Sequence, residues 1–103
     1  MKEQKNKEFS VIYNEHFNLM FIIAQRYTNY NETSSYDIVQ TVFMKAYDSI
    51  ELLRDQTKIK SWLIAIVHNE GKTYLRKKIT ERESLKQYGK EIEFEERESF
   101  EDA

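Results

Sequence analysis

Residues 58–78 read KIKSWLIAIVHNEGKTYLRKK, and the change of character halfway along this stretch decides how the rest of the chain is read. The first half is almost wholly apolar: Ile59 is followed by an unbroken run from Trp62 to Val67. The second half carries Lys72, Arg76, Lys77 and Lys78. No Pro interrupts the stretch, and its Leu, Ala, Lys and Arg favour helix. Thr57, just ahead of the apolar run, is the expected N-cap. About twenty helical residues extend roughly 30 Å. One end of such a rod belongs in a core, and the other offers cations to an anionic partner.

Working outward, 103 residues allow one domain with a modest core. With 40% hydrophobic and 33% charged residues the chain reads as soluble and globular. The absence of Cys excludes disulfides and thiolate metal sites. The longest apolar runs, residues 19–24 and 62–67, are far too short for a bilayer span. The N-terminus MKEQKNKEF lacks a signal-peptide pattern, so a cytoplasmic location is expected. With no Pro and two Gly there are few tight turns, which favours an all-α fold.

The formal charge of −2 hides a strong asymmetry. Residues 1–53 hold five Lys/Arg against seven Asp/Glu, residues 54–78 seven against two, and residues 79–103 four against nine. A basic segment before an acidic tail points towards nucleic acid, or else to a solvated helix end and a tether.

Apolar residues recur in steps of three and four at Phe9, Tyr13, His16 or Phe17, Met20, Ile23 and Tyr27. They predict one amphipathic helix that ends near Tyr30 and Asn31, followed by a polar loop, NYNETSS. A second helix is expected to start near Ser34 or Ser35, with Asp37 favouring its N-terminal dipole. Its apolar face is Ile38 or Val39, Val42, Phe43, Ala46, Ile50 and Leu53. The connection LLRDQTK leads into the basic helix. Beyond Lys78 the pattern decays, and Leu85, Tyr88 and Ile92 are only loosely periodic. The expected organisation is a flexible segment 1–8, a helical domain 9–78, and an acidic linker or tail 79–103 that is helical in part. A small three- to four-helix bundle follows.

Signals of catalysis are missing. His16 and His68 fall on different predicted helices, there is no Gly-rich phosphate loop, and no carboxylate pair stands out. No enzyme activity, metal or cofactor is expected.

Two stretches taken together are specific. DIVQTVFMKAY (residues 37–47) followed by KSWLIAIVHNEGKTYLRKK (residues 60–78) resembles region 2 of the sigma-70 family of bacterial RNA polymerase sigma factors, in its extracytoplasmic-function (ECF) type. Asp37 and Gln40 match an Asp-x-x-Gln helix, and Trp62, Leu63, Asn69, Leu75 and Arg76 match the helix that follows it. The likeness covers about residues 9–78. It implies a role in transcription initiation: binding core RNA polymerase, and recognising and melting the −10 promoter element. By position, Asp37, Gln40, Thr41 and Tyr47 would meet the clamp helices of the largest catalytic subunit. Lys58, Lys60, Ser61, Trp62, Asn69, Lys72, Thr73, Arg76 and Lys77, with the loop before them, would hold the non-template single strand with one base flipped out. In this set the cations suit phosphates, Asn69 and Lys72 suit base edges, and Trp62 suits a stacked base. An anti-sigma factor is a further candidate partner.

Bland alternatives stand beside these roles. Asp37 also suits a helix cap, Trp62 also suits the core, and His68 suits an exposed helical position. The chain has Ala65 and Ile66 where housekeeping sigma factors carry aromatics, and Thr41 where an acid is frequent. The family's −35-reading domain has no counterpart in these 103 residues, which fits either part of a longer factor or a stand-alone chain. Two rival readings remain. One is a sigma-like decoy or regulator that binds polymerase without DNA, and the other is a helical RNA-binding module, whose usual motifs are missing.

Overall fold

The apolar rows of three helices meet in one core in a computed structural model that describes residues 2–86. Helix α1 spans Lys2–Tyr27, α2 spans Glu32–Ser49 and α3 spans Ile59–Lys86. Two 3-10 turns, Ile50–Leu52 and Gln56–Lys58, join α2 to α3. No strand occurs among the described residues, so the fold is an all-α bundle, as the periodicity predicts. Among the described residues there are three α-helices, and the chain after Lys78 continues α3 to Lys86. Tyr88 and Ile92 lie outside the described residues.

Met20 and Ala24 of α1, Ile38, Val39, Val42, Phe43 and Ala46 of α2, and Ile59, Leu63 and Val67 of α3 form the buried core. Each fully buried side chain of the size of Leu63 or Met20 contributes roughly 1.5–3 kcal/mol of hydrophobic stabilisation. Helix α2 runs antiparallel to α1: Phe9 meets Phe43 and Tyr47 near one end, and Phe17 meets Tyr36 nearer the other. The Lys45–Glu70 ion pair links α2 to α3. Tyr27 of α1 lies against Gly71 of α3, where an added Cβ would fall 2.3 Å from the ring. Gly71 is what lets the two helices approach there.

The helix ends differ from expectation. The sequence predicts a flexible segment 1–8, yet α1 begins at Lys2. A cross-helix set of interactions explains this. Lys5 Nζ lies 4.2 Å above the Tyr47 ring and 3.7 Å from the Glu51 carboxylate, and the Tyr47 hydroxyl donates to Asn6 Oδ1. At its other end α1 closes earlier than predicted. Asn29 and Tyr30 adopt left-handed φ values of 57° and 66°, and the Tyr30 N–H donates to the Gln25 carbonyl at 2.9 Å. This six-to-one closure resembles a Schellman motif, with Asn29 where Gly is usual.

Asn31 caps α2, ahead of the expected Ser34 or Ser35. Its Oδ1 accepts from the Ser34 N–H at 2.8 Å. Ser35 is instead buried, its hydroxyl 2.7 Å from that of Thr28. Asp37 is thereby the sixth residue of α2, past the first turn where a carboxylate meets the dipole, and Glu32 takes that place. Before α3, Asp55 displaces Thr57 as the cap: it accepts from the Thr57 N–H at 3.0 Å and from the Thr57 hydroxyl at 2.6 Å. These two bonds, the hydroxyl's first, hold the Asp55 carboxyl below its ordinary range.

Candidate functional site

On α3 the buried row is Ile59, Leu63, Val67 and Gly71, an i, i+4 succession that fixes which side faces solvent. At 100° per residue the opposite side carries Ser61, Ala65, Lys72 and Arg76, with Asn69 beside them, and all five are exposed. Trp62 and Thr73 are half-buried along one edge of this stripe, and Trp62 packs against the core with part of its indole still accessible. Six of the nine predicted DNA-side residues, Ser61, Trp62, Asn69, Lys72, Thr73 and Arg76, therefore share one side of one helix. Lys58 and Lys60 flank its N-terminal end.

Lys77 departs from the stripe. It lines a cleft between α2 and α3 together with Ser34, Asp37, Thr41, Glu70 and Thr73. Residues predicted for two different partners thus face each other across one groove, a juxtaposition that sequence spacing alone does not reveal.

The hydrogen bonds separate occupied groups from free ones. The Thr73 hydroxyl donates to the Asn69 carbonyl at 3.0 Å, and the Ser61 hydroxyl to the Lys58 carbonyl at 3.3 Å. The ion pairs among the described residues are Lys5–Glu51, Lys45–Glu70 and Lys78–Glu81. Lys58, Lys60, Lys72, Arg76 and Lys77 take part in none of them. Glu70, the acid within the basic stretch of α3, is engaged by Lys45, with its side chain 11% exposed. The stripe thus offers unpaired cations and a free Asn69 amide, a pattern suited to phosphates and a base edge. His68 lies off the stripe, exposed, with Nδ1 2.5 Å from the Tyr27 hydroxyl. Burial raises the Tyr27 pKa above its ordinary value.

The outward row of α2 contains Asp37, Thr41, Met44 and Asp48. Asp37 is exposed, and the Thr41 hydroxyl donates to the Asp37 carbonyl at 3.1 Å. Met44, 67% exposed, escapes the sequence reading because the apolar face runs through Phe43 and Ala46. Its register with Asp37 and Thr41, at i+7 and i+3, is the signal that could have found it. Gln40 and Tyr47 sit at the α1 border. Gln40 Nε2 donates to the Tyr13 hydroxyl at 2.8 Å, and the Tyr47 ring packs edge-on to Phe9 at 5.3 Å. Both side chains hold α1 to α2 before they can serve a partner.

Among the described residues there is no group of side chains able to hold a metal ion, and no helix long and apolar enough to cross a membrane.

Residues 12–79 match the family model described as sigma-70 region 2. The ECF RNA polymerase sigma-E factor of Haemophilus influenzae is 32% identical over 75 residues, a stretch covering 73% of this chain and 39% of that protein. The chain thus spans well under half the length of this relative. No solved structure matches significantly.

Proposed function

The chain belongs to the sigma-70 family through its region 2, and from that premise we propose that it acts in transcription initiation by joining core RNA polymerase to the non-template strand of a −10 promoter element. The outward row of α2, with Asp37, Thr41 and Met44, docks on the polymerase, and Gln40 supports that row from the α1 side. The α3 stripe takes the strand: Lys72 and Arg76 meet phosphates, Asn69 reads a base edge, and the accessible part of Trp62 stacks on a base. Lys58 and Lys60 continue the phosphate track towards the α2–α3 connection. Lys77 guards the groove between the two surfaces.

One observation carries the reading. Within residues 54–78 the two acids are both engaged, Glu70 by Lys45 and Asp55 by Thr57, while the cations of the stripe have no internal partner. A merely solvated helix end has no need of that segregation.

The test is fluorescence anisotropy of the full chain with single-stranded and duplex promoter DNA across a salt series, beside a pull-down with core polymerase. Capturing a base from a duplex costs a few kcal/mol of unstacking and unpairing, so the single strand should bind more tightly. Each phosphate neutralised adds about −0.7 to the log–log salt slope, so three to five contacts give roughly −2 to −4. Equal, salt-independent affinity for both DNAs alongside polymerase capture would leave the protein-interaction reading in its place.

A further inference from the structure

The strand-binding reading leaves His68 unused, yet the fold holds this side chain in a defined place. The Tyr27 hydroxyl of α1 lies 2.5 Å from Nδ1, and the two rings meet edge-on with centroids 5.6 Å apart. Gly71, within a turn of His68, is what lets the phenol approach α3 so closely. His68 is exposed, and with Nδ1 engaged its remaining polar atom is Nε2.

Around α3, His68 borders the stripe on the side towards α1, across from the edge that carries Trp62 and Thr73. Its neighbours at i±3 and i±4 are Ile64, Ala65, Gly71 and Lys72, with no carboxylate among them. Lys72 is exposed and takes part in none of the ion pairs among the described residues. From α1 the titratable and charged groups beside His68 are Tyr27 and Arg26. Burial keeps the Tyr27 phenol neutral to beyond its ordinary range, and Arg26 is exposed in the last turn of α1. Helix α2 packs on another side of α3, where Glu70 is engaged by Lys45; Glu70 stands about 200° round the helix from His68. The turn Gln56–Lys58 lies about 15 Å down the axis.

A proton on His68 therefore adds a cation to the row of Lys72 and Arg26 with no acid to offset it. Like charges oppose that protonation in the free chain, and a phosphate laid along the row reverses the balance. Imidazole is the side chain whose charge changes between about pH 5 and pH 8. We infer that His68 is a further strand-contacting residue: its Nε2 meets a backbone phosphate, and binding of the strand takes up a proton there. The proton comes from solvent and leaves when the strand leaves. This rests on the strand-binding reading above and adds a proton linkage that lysines and arginines alone do not have. A tie between α1 and α3 uses only one nitrogen of the ring and has no need of the cations beside the other.

The test is isothermal titration calorimetry of the full chain with the promoter single strand at about pH 6.5. Runs in two buffers of different ionisation enthalpy count the protons taken up. The wild type should take up about a third of a proton per strand, and by the same linkage its affinity should rise about fivefold between about pH 8 and about pH 5.5. One added phosphate contact should steepen the log–log salt slope by about 0.7 at the lower pH. His68→Gln, whose amide can still bond Tyr27, should abolish both the uptake and the pH dependence, with affinity at about pH 8 within about twofold of wild type. Unchanged uptake in His68→Gln, or no uptake by a wild type that binds the strand, overturns the linkage and leaves strand binding standing. An equal loss of affinity in His68→Gln at both pH values overturns it too, since the side chain would then serve only to tie α3 to α1. A wild type that binds no strand at either pH overturns both readings together.

Discussion

The outer faces of α2 and α3 are both polar in sequence, yet they differ in what their polar groups are bound to. Towards α1, the polar side chains of α2 are absorbed by the fold: Gln40 holds Tyr13 and Tyr47 holds Asn6. On α3, the side chains of Asn69, Lys72 and Arg76 hold nothing, and one residue away Gly71 is pressed against Tyr27. A polar helix face is therefore not uniform evidence of a binding surface. The useful distinction is between groups that the fold already employs and groups that it leaves unpaired.

The contrast between positions 71 and 72 yields the largest expected effect. Gly71→Ala should gain about 1 kcal/mol in helix propensity but force a Cβ into the Tyr27 ring, a conflict worth about 1–3 kcal/mol or more. With the ring 2.3 Å from that Cβ the clash should win, for a net loss of about 2 kcal/mol and a fall of roughly 10 °C in the thermal midpoint. A midpoint at or above the wild type would show that Tyr27 moves aside freely. Lys72→Ala and Arg76→Ala together should leave the midpoint unchanged and flatten the single-strand salt slope by about 1.4.

Within α2 the same division separates two neighbours. Gln40→Ala removes the partner of the Tyr13 hydroxyl and should cost about 1 kcal/mol in chemical denaturation. Asp37→Ala, at an exposed position beyond the first turn, should fall within about 0.5 kcal/mol of wild type. Both should weaken polymerase capture. If Asp37→Ala alone unfolds the domain, the outward row of α2 has a structural role and not a docking one.

Smaller effects concern the acidic end of the sequence and the pH. Residues 87–103 contain two basic and seven acidic residues. Truncation after Lys86 should tighten single-strand binding about twofold in low salt, and the gain should vanish as the Debye length falls below about 10 Å. Unchanged low-salt affinity would mean that the acidic segment does not compete for the stripe. The smallest effect concerns pH. Burial raises the Tyr27 pKa above 10.0, so the folded state keeps the phenol neutral after the unfolded chain begins to ionise. Its contribution is complete below pH 10 and declines as pH rises through the higher folded value. Tyr27→Phe should lessen the alkaline loss measured by circular dichroism.

Much of the bundle is legible in the sequence because its core obeys local periodicity. Met20, Val42, Phe43 and Ala46 fall on the predicted faces, and Leu63 and Val67 in the apolar run. The helix ends are not legible to the residue. In NYNETSS several side chains can cap, and the choice of Asn31 depends on backbone angles that composition does not encode. The same holds for Asp55 over Thr57. The helical start at Lys2 depends on Tyr47 reaching Asn6 across 41 positions, beyond any local pattern. The α3 stripe is readable because it is a single helix face. The α2–α3 groove is not, since Lys77 and Asp37 come to line it only after two helices have packed.

The turn between α1 and α2 has a consequence for the order of folding. Its bonds join residues close in sequence: Tyr30 to Gln25, Asn31 to Thr28, Ser34 to Asn31, and Thr28 to Ser35. The ties that seat α3 span 25 positions from Lys45 to Glu70 and 41 from Tyr27 to His68. Closing the shorter loops costs less entropy and is faster. The α1–α2 hairpin should therefore acquire amide protection first in pulse-labelled refolding, with α3 docking afterwards onto a surface already in place. Simultaneous protection of all three helices would instead mean that the hairpin cannot persist without α3.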